Sequence, residues 1–216
     1  MDNPTAAPRS VPPPSEPDAS APDDTATAGS EPGPIMPGTS EPSGSQPAAT
    51  TTTEPPSRPT PEDVALLAFA QSFELTARDL YQAAIDGGAA AGFADVFSAL
   101  MENHEEYGNV IAGIIGVEAP QRRDDAIYDQ FFAGFNARLP EAVAQAGYEL
   151  ESTAVATHTD LIGQLVGLDG ASTLAALLVV ESRHCTVLAH LAGNGDDMGA
   201  LLENTASPLQ TSSAAG

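Results

Sequence analysis

Four glutamates stand near the centres of four stretches with helical periodicity: Glu74, Glu105, Glu151 and Glu181. An ionised carboxylate on an apolar helix face is costly unless it is paired with a cation or binds a metal. The chain has no lysine, and from residue 61 onward only five arginines stand against 22 acids. Ion pairs with arginine therefore cannot neutralise these acids in general, and the pattern favours metal ligands. The alternative is carboxylates at exposed helix edges or paired with Arg78 and Arg183.

The four glutamates form two pairs with nearly equal spacing. Glu74 and Glu105 are 31 positions apart, Glu151 and Glu181 are 30 apart, and the pairs repeat at an offset of 76 to 77. Glu181 opens a Glu-x-x-His element that ends at His184. Positions i and i+3 share one helix face, so both side chains can reach one metal. The counterpart that begins at Glu105 has Gly108 where the histidine would stand, which predicts an incomplete second position.

The other histidines are weaker candidates. His158 lies two turns after Glu151 on the same face, where it could be a ligand or could orient one. The repeat instead pairs His158 with Tyr81, which favours a place near the site without metal contact. His104 precedes Glu105 and could swing into the gap at Gly108. His190 falls outside the apolar stripe and is predicted to lie on the surface.

Helices must position these side chains. The periodicity predicts helices over about 61–85, 93–115, 140–166 and 172–192, with a short helix near 127–135 in the long connection 117–139. Short links between the first two helices and between the last two imply two antiparallel hairpins. The long middle link can cross the length of the bundle. The predicted fold is therefore an all-α four-helix bundle with one long crossover.

The bundle occupies only part of the chain. Residues 1–60 hold 15 of the 19 prolines and no aromatic residue. Such a segment cannot bury enough apolar surface to offset the entropy of ordering it. We predict a disordered acidic Pro-rich tail over 1–60, the bundle over 61–193 and a flexible C-terminal tail over 194–216.

The net charge of the chain limits the classes of partner that it can bind. The net charge is −23, which argues against nucleic acid and anionic membranes because like charges repel. The chain contains no run of 18 apolar residues, so no transmembrane segment is predicted. A Pro/Ser/Thr-rich stretch ahead of a compact domain is typical of exported or cell-envelope proteins, although no signal sequence opens the chain. A cytoplasmic location and a homodimer both stay open, and no motif in the tail identifies a partner.

Four segments carry a resemblance to a known family: LLAFAQSFELTARDLYQAAI, NHEEYGNVIAGIIG, YELESTAVATHTDLIGQL and VVESRHCTVLAHLAG. They resemble the core helices of the ferritin-like superfamily, and most of all the bacterial ferritin-like-domain proteins of the desiccation-related type. The resemblance covers about residues 62–193. It implies two iron or manganese ions held by one glutamate from each of two helices and a Glu-x-x-His from each of the others.

Carried onto this chain, the family pattern assigns the metal ligands Glu74, Glu105, Glu151, Glu181 and His184. Because Gly108 replaces the second histidine, one or two ions are expected. The implied function is Fe or Mn binding at a di-iron-carboxylate-like site, with an oxidative or stress-related role. The alternative is a non-enzymatic exported structural or stress-protective module whose site is vestigial and metal-free.

Overall fold

Six α-helices and a short 3₁₀ helix (Gly116–Glu118) make up the regular structure in the computed structural model, which describes residues 54–88 and 92–211. No strand occurs in these two ranges. Most of the predicted disordered segment, residues 1–53, lies outside them. The helices are α1 (Pro61–Asp86), α2 (Ala94–Ile115), α3 (Asp125–Phe135), α4 (Pro140–Ile162), α5 (Leu168–Leu191) and α6 (Met198–Leu202).

The start of α1 follows directly from its sequence. The hydroxyl of Thr60 accepts from the backbone N–H of Asp63, and the Asp63 carboxylate accepts from the N–H of Thr60. This reciprocal cap satisfies amides that have no partner inside the helix. The buried Asp63 carboxylate also accepts from the N–H groups of Val166 and Gly167, each at 2.8 Å. Burial opposes its ionisation, but these hydrogen bonds hold the pKa of Asp63 below its usual value.

Contacts at matched depths show that α1 and α2 are antiparallel. Tyr81 packs against Phe97, whereas Leu75, earlier in α1, lies against Gly108, later in α2. The last two long helices behave in the same way. Gly147 of α4 approaches Leu188 of α5, and His158 of α4 lies beside Glu181. Each pair therefore forms a hairpin, as the short connections predict.

The two hairpins face each other through α1 with α4 and through α2 with α5, and α1 and α4 are also antiparallel. Tyr81 reaches Glu151, and Glu74 reaches His158. Consequently α2 and α4 run in the same direction, and the connection between them must return along the length of the bundle. Helix α3 lies in that connection and packs on α1 and α4. The long crossover thus matches the one predicted from the length of the middle link.

Two apolar clusters fill the interior. One contains Phe73, Tyr81, Phe97, Phe135, Leu150 and Leu188 among others, and the second contains Leu67, Ile111, Leu161 and Leu174. Buried polar side chains accompany both clusters: Glu74 and Glu151 lie next to members of the first, and His104, His158, Glu181 and His184 lie between positions of the two clusters. The core is therefore apolar at both ends and polar in a central layer.

The helix ends differ from the prediction at the junction of α4 and α5. Helix α4 stops at Ile162 and α5 begins at Leu168, with the N–H groups of Leu168 and Asp169 bonded to the carbonyls of Pro56 and Ser57. Within the described ranges, α5 alone has the length and mean hydropathy, 1.3, of a candidate membrane span. It buries Glu181 and His184 in the bundle interior, and 33% of the candidate span is buried.

The segment after α5 corrects the expectation of a flexible tail over 194–216, at least as far as residue 211. It forms α6 and then runs beside α4. The Tyr148 hydroxyl donates to the carbonyl of Ala200, and the Asn204 amide donates to the carbonyl of Ser152. Leu209 bonds through its N–H to Thr157 and packs on the core. Sequence periodicity could not find this segment because it is held by contacts with α4.

Candidate metal centre

The polar layer of the core contains six side chains that can bind metal, arranged as two groups of three. The His-rich triad is His104, Glu151 and His184, and the Glu-rich triad is Glu74, His158 and Glu181. Within each triad the ligand atoms lie within 4.8 Å of one another. All six residues are buried.

Glu151 is the centre of the His-rich triad. Its Oε1 lies 2.9 Å from Nε2 of His104, and its Oε2 lies 3.3 Å from Nδ1 of His184. The Tyr81 hydroxyl donates to the same Oε1 at 2.7 Å. The Tyr81 ring also stacks on His104, with centroids 5.6 Å apart. The Glu151 carboxylate is therefore held by side chains from three other helices, α1, α2 and α5.

In the Glu-rich triad the imidazole lies between two carboxylates. Nδ1 of His158 lies 3.0 Å from Oε2 of Glu181, and its Nε2 lies 3.1 Å from Oε1 of Glu74. The triads are joined because Oε2 of Glu74 lies 2.7 Å from Nδ1 of His104. The six side chains thus form one continuous network across all four long helices.

Three atoms of the Glu-rich triad have no hydrogen-bond partner within the described part of the chain: Glu74 Oε1, His158 Nε2 and Glu181 Oε1. The first two are close, but they are not aligned for a hydrogen bond with each other. Buried polar atoms are rarely left without a partner, and a bound ion is one recognised partner for atoms that lack a hydrogen bond. These atoms fit the ligands of a cation.

The ionisation of each group in the network depends strongly on the charge of its neighbours. Burial disfavours ionisation of Glu74 and Glu151, but the nearby histidines hold the pKa of each carboxyl below its usual value. Burial likewise opposes protonation of His158, yet Glu181 and Glu74 raise its pKa to about 10. The pKa of His104 is raised for the same reason, mainly by Glu151. Burial raises the pKa of Glu181, with His158 opposing.

The structure brings together four of the five side chains that the family pattern assigned: Glu74, Glu151, Glu181 and His184. The fifth, Glu105, must be corrected, because it is exposed on α2 and lies outside both triads. His104 enters the core in its place. Adjacent positions on a helix differ by about 100° in direction, so an error of one residue turned the expected ligand to solvent.

A constant offset in the internal repeat identifies His104 as the member of α2 that belongs to the site. At a constant offset of 77, Glu74 pairs with Glu151, and His104 pairs with Glu181. The same offset pairs Tyr107, and not Gly108, with His184. The buried face of α2 gives a second signal, because its members, Phe97, Leu100, His104, Gly108, Ile111 and Ile115, follow helical spacing. Gly108 itself lies against α1, where an added Cβ would be 3.0 Å from Leu75 Cδ2.

His158 was expected near the site without contact to metal, and the structure includes it in the Glu-rich triad. Its repeat partner Tyr81 contacts Glu151 much as His158 contacts Glu74. His190 is exposed, as predicted. Pairing with arginine does not neutralise the buried carboxylates, because Arg78 pairs with Asp79 and Arg183 is exposed.

The donor set fits transition metals. Three imidazoles and three carboxylates combine the ligands that suit iron and zinc with those that suit manganese. Each triad supplies three protein ligands, and a three-ligand site leaves positions free for water or substrate.

Comparison with known proteins agrees with this architecture. No curated protein and no solved structure matched the chain. A family profile described as the ferritin-like domain matches residues 62–194, which include both triads and all of the long helices except Pro61, the first residue of α1. The chain therefore belongs to the ferritin-like domain family.

Proposed function

We propose that this ferritin-like domain binds two transition-metal ions, iron or manganese, one at each triad. The His-rich triad would hold one ion through His104, Glu151 and His184, and the Glu-rich triad the other through Glu74, His158 and Glu181. The observation that carries the proposal is the pairing of two buried triads with three unpartnered ligand atoms. This replaces Glu105 by His104 in the ligand set and adds His158.

Charge supports bound cations. The six side chains carry three carboxylates when the histidines are neutral, and an uncompensated buried charge is strongly destabilising. One dication would leave a net charge of −1 among these groups and two would leave +1, so either number of ions removes most of the charge. Glu74 and His104 connect the triads, so the two ions would be close neighbours. When bound, such ions supply redox chemistry towards dioxygen or peroxide, which is the basis for an oxidative or stress-related role.

The chain's own residues would prepare the site. Tyr81 holds Glu151 by donating a hydrogen bond to Oε1. Asn103 lies 3.3 Å from Nε2 of His184, leaving Nδ1 directed towards Glu151. Aromatic and aliphatic clusters on both sides exclude water from five of the six ligands. These contacts fix ligand orientation before an ion arrives, and groups that hydrogen-bond to metal ligands raise metal affinity in this way.

Elemental analysis and calorimetric titration of the metal-free chain with Fe(II) or Mn(II) test the proposal. We expect about two ions per chain for the parent. The Glu181→Gln variant should lose at least one ion. The control is Glu105→Gln, which makes the same chemical change on the exposed face and should keep full binding. A parent protein with no tight binding of either metal would refute the proposal.

One observation favours a second function, a metal-free structural or stress-protective module. His104 and His158 each lie between two carboxylates, and both have raised pKa values. Protonated, the two rings would neutralise most of the buried charge without metal. In that case Glu181→Leu should leave metal content unchanged and lower the melting temperature, because it removes one partner of the buried His158–Glu181 pair. An exported, desiccation-related role belongs with this alternative.

A further inference from the structure

His184 is the one ligand residue whose side chain reaches solvent. Its side chain is 8% exposed, whereas the side chains of the other five are at most 1% exposed. Any ion or small molecule that enters a closed bundle must pass the point of least cover. The exposure of the six ligand side chains therefore indicates that an ion approaches the site from the side of His184.

That side is the seam between α2 and α5. Contacts between α2 and α5 are sparse, as are those between α1 and α4, but on the other side of the bundle α3 packs on both α1 and α4. Two half-buried residues of α2 cover His184 there. The Tyr107 ring stacks on the His184 ring at 6.4 Å between centroids, with planes 16° apart, and the Asn103 amide lies 3.3 Å from Nε2.

The surface of α2 beside these residues is acidic. Glu102 and Glu106 are exposed and lie one turn apart, each directly before one of the covering residues, Asn103 and Tyr107. The charge of Glu106 contributes to raising the pKa of Tyr107, after burial and the core carboxylates. A concentration of negative charge at a narrow opening raises the local concentration of cations and their rate of association.

We propose that divalent cations reach the core through the seam between α2 and α5, attracted by Glu102 and Glu106 and admitted when the Tyr107 ring moves off His184. This inference rests on the proposed metal-binding function and adds the route and its controlling residue. The Tyr107 ring acts by covering the histidine, and its hydroxyl is not required. The exposed acids act through their charge and do not bind the ion in its final position.

The rate of Co(II) uptake tests the route. Co(II) in a four- or five-coordinate protein site absorbs visible light much more strongly than the hexaaquo ion does, so the rise in absorbance after stopped-flow mixing of the metal-free full chain with Co(II) alone reports entry directly. Tyr107→Ala should accelerate uptake about tenfold, as expected when a gating step is removed. Tyr107→Phe keeps the ring and should match the parent. Equal rates in the parent and Tyr107→Ala, at full final absorbance, would overturn the route and leave the metal site intact.

A second pair of variants tests the charge without altering the cover. Glu102→Gln/Glu106→Gln should slow uptake about two- to tenfold at low salt, and the difference should shrink as salt screens the charges. The control Asp129→Asn/Glu141→Gln removes the same charge from exposed positions on α3 and α4. Equal slowing in both double variants would refute attraction at the seam. No cobalt absorbance in the parent would instead refute the metal-binding function and the route with it.

Discussion

At the scale of single residues, the unusual feature is an imidazole between two carboxylates, and it occurs twice. His104 joins Glu74 to Glu151, and His158 joins Glu74 to Glu181. Such a ring can be a protonated bridge or a neutral ligand, and the N–O distances of 2.7–3.1 Å suit both states. Metal and protons therefore compete for the same atoms. This competition makes the site sensitive to pH in opposite ways with and without metal.

The hydroxyl of Tyr81 gives a prediction at this scale. It donates to a fully buried carboxylate, Glu151, whereas the Tyr148 hydroxyl donates to the neutral carbonyl of Ala200. Hydrogen bonds to charged groups contribute about 1.5–3 kcal/mol, and neutral ones about 0.5–1.5 kcal/mol. Tyr81→Phe should therefore lower the free energy of unfolding more than Tyr148→Phe, as measured by urea denaturation of the metal-free protein. An equal or smaller loss for Tyr81→Phe would contradict a structural role of this bond.

The sequence was sufficient to place Glu74, Glu151, Glu181 and His184 in the core, because buried acids on apolar stripes are rare enough to stand out. It failed at α2, where His104, Glu105 and Glu106 are adjacent polar residues and any of them could face inward. Only the direction of the helix decides between them. A constant repeat offset would have chosen His104 correctly, whereas the expectation of a family motif favoured Glu105.

At the scale of elements, helices could be predicted where local signals mark their ends. Thr60 with Pro61 starts α1, and Gly116 ends α2 at φ +62°, a left-handed conformation that suits glycine. The junction of α4 and α5 was placed less well. Its path depends on Asp63 and on carbonyls near residue 56, which are about a hundred positions away in sequence. Such long-range bonds leave no periodic signal.

Two glycines of the helices give opposite predictions. A Cβ at Gly134 would lie 2.7 Å from the Cβ of Ala146, where α3 meets α4. Gly134→Ala should therefore destabilise the protein by about 1–3 kcal/mol through overpacking. Gly113 lies exposed within α2 with nothing near its Cβ position, so Gly113→Ala should stabilise by about 0.5–1 kcal/mol through helix propensity.

Thermal unfolding of the two alanine variants beside the parent checks the pair. The expected order of melting temperatures is Gly113→Ala above the parent and Gly134→Ala below it. If Gly134→Ala proved neutral, α3 would not be packed against α4 as closely as the structure places it. The position of the crossover helix would then need revision.

At the scale of the whole molecule, the domain combines a strongly acidic surface with a core whose charge is nearly balanced. From residue 61 onward there are 22 acids and five arginines. Two of the core histidines, His104 and His158, have pKa values raised above the ordinary value of 6.5, that of His158 to about 10. A change in the stability of the metal-free protein between pH 6 and 10 therefore reports on the protonation of these two rings.

Whether the stability of the metal-free protein rises or falls with pH follows from the direction of each pKa shift. A histidine whose pKa is raised by folding contributes stability that is full below its ordinary pKa of 6.5 and is lost as pH rises through its folded value, about 10 for His158. Glu74 and Glu151, with lowered pKa values, contribute stability that is full above 4.5 and is lost on further acidification. The metal-free protein should thus be most stable between about pH 4.5 and 6.5.

We therefore expect the free energy of unfolding of the metal-free protein to fall between pH 6 and 10, by on the order of 3 kcal/mol. With Mn(II) present the trend should reverse, because ligands must lose their protons to bind metal, so stabilisation by the ion grows with pH. Urea denaturation at several pH values, with chelator or with Mn(II), measures both slopes. His158→Gln should flatten the metal-free slope, whereas His190→Gln, at an exposed position, should not. Stability that is constant or rises with pH in the metal-free parent would show that His104 and His158 are not held as cations. A falling slope that Mn(II) leaves unchanged would identify the core as a proton-bridged structure, and it would decide for the metal-free module over the metal centre.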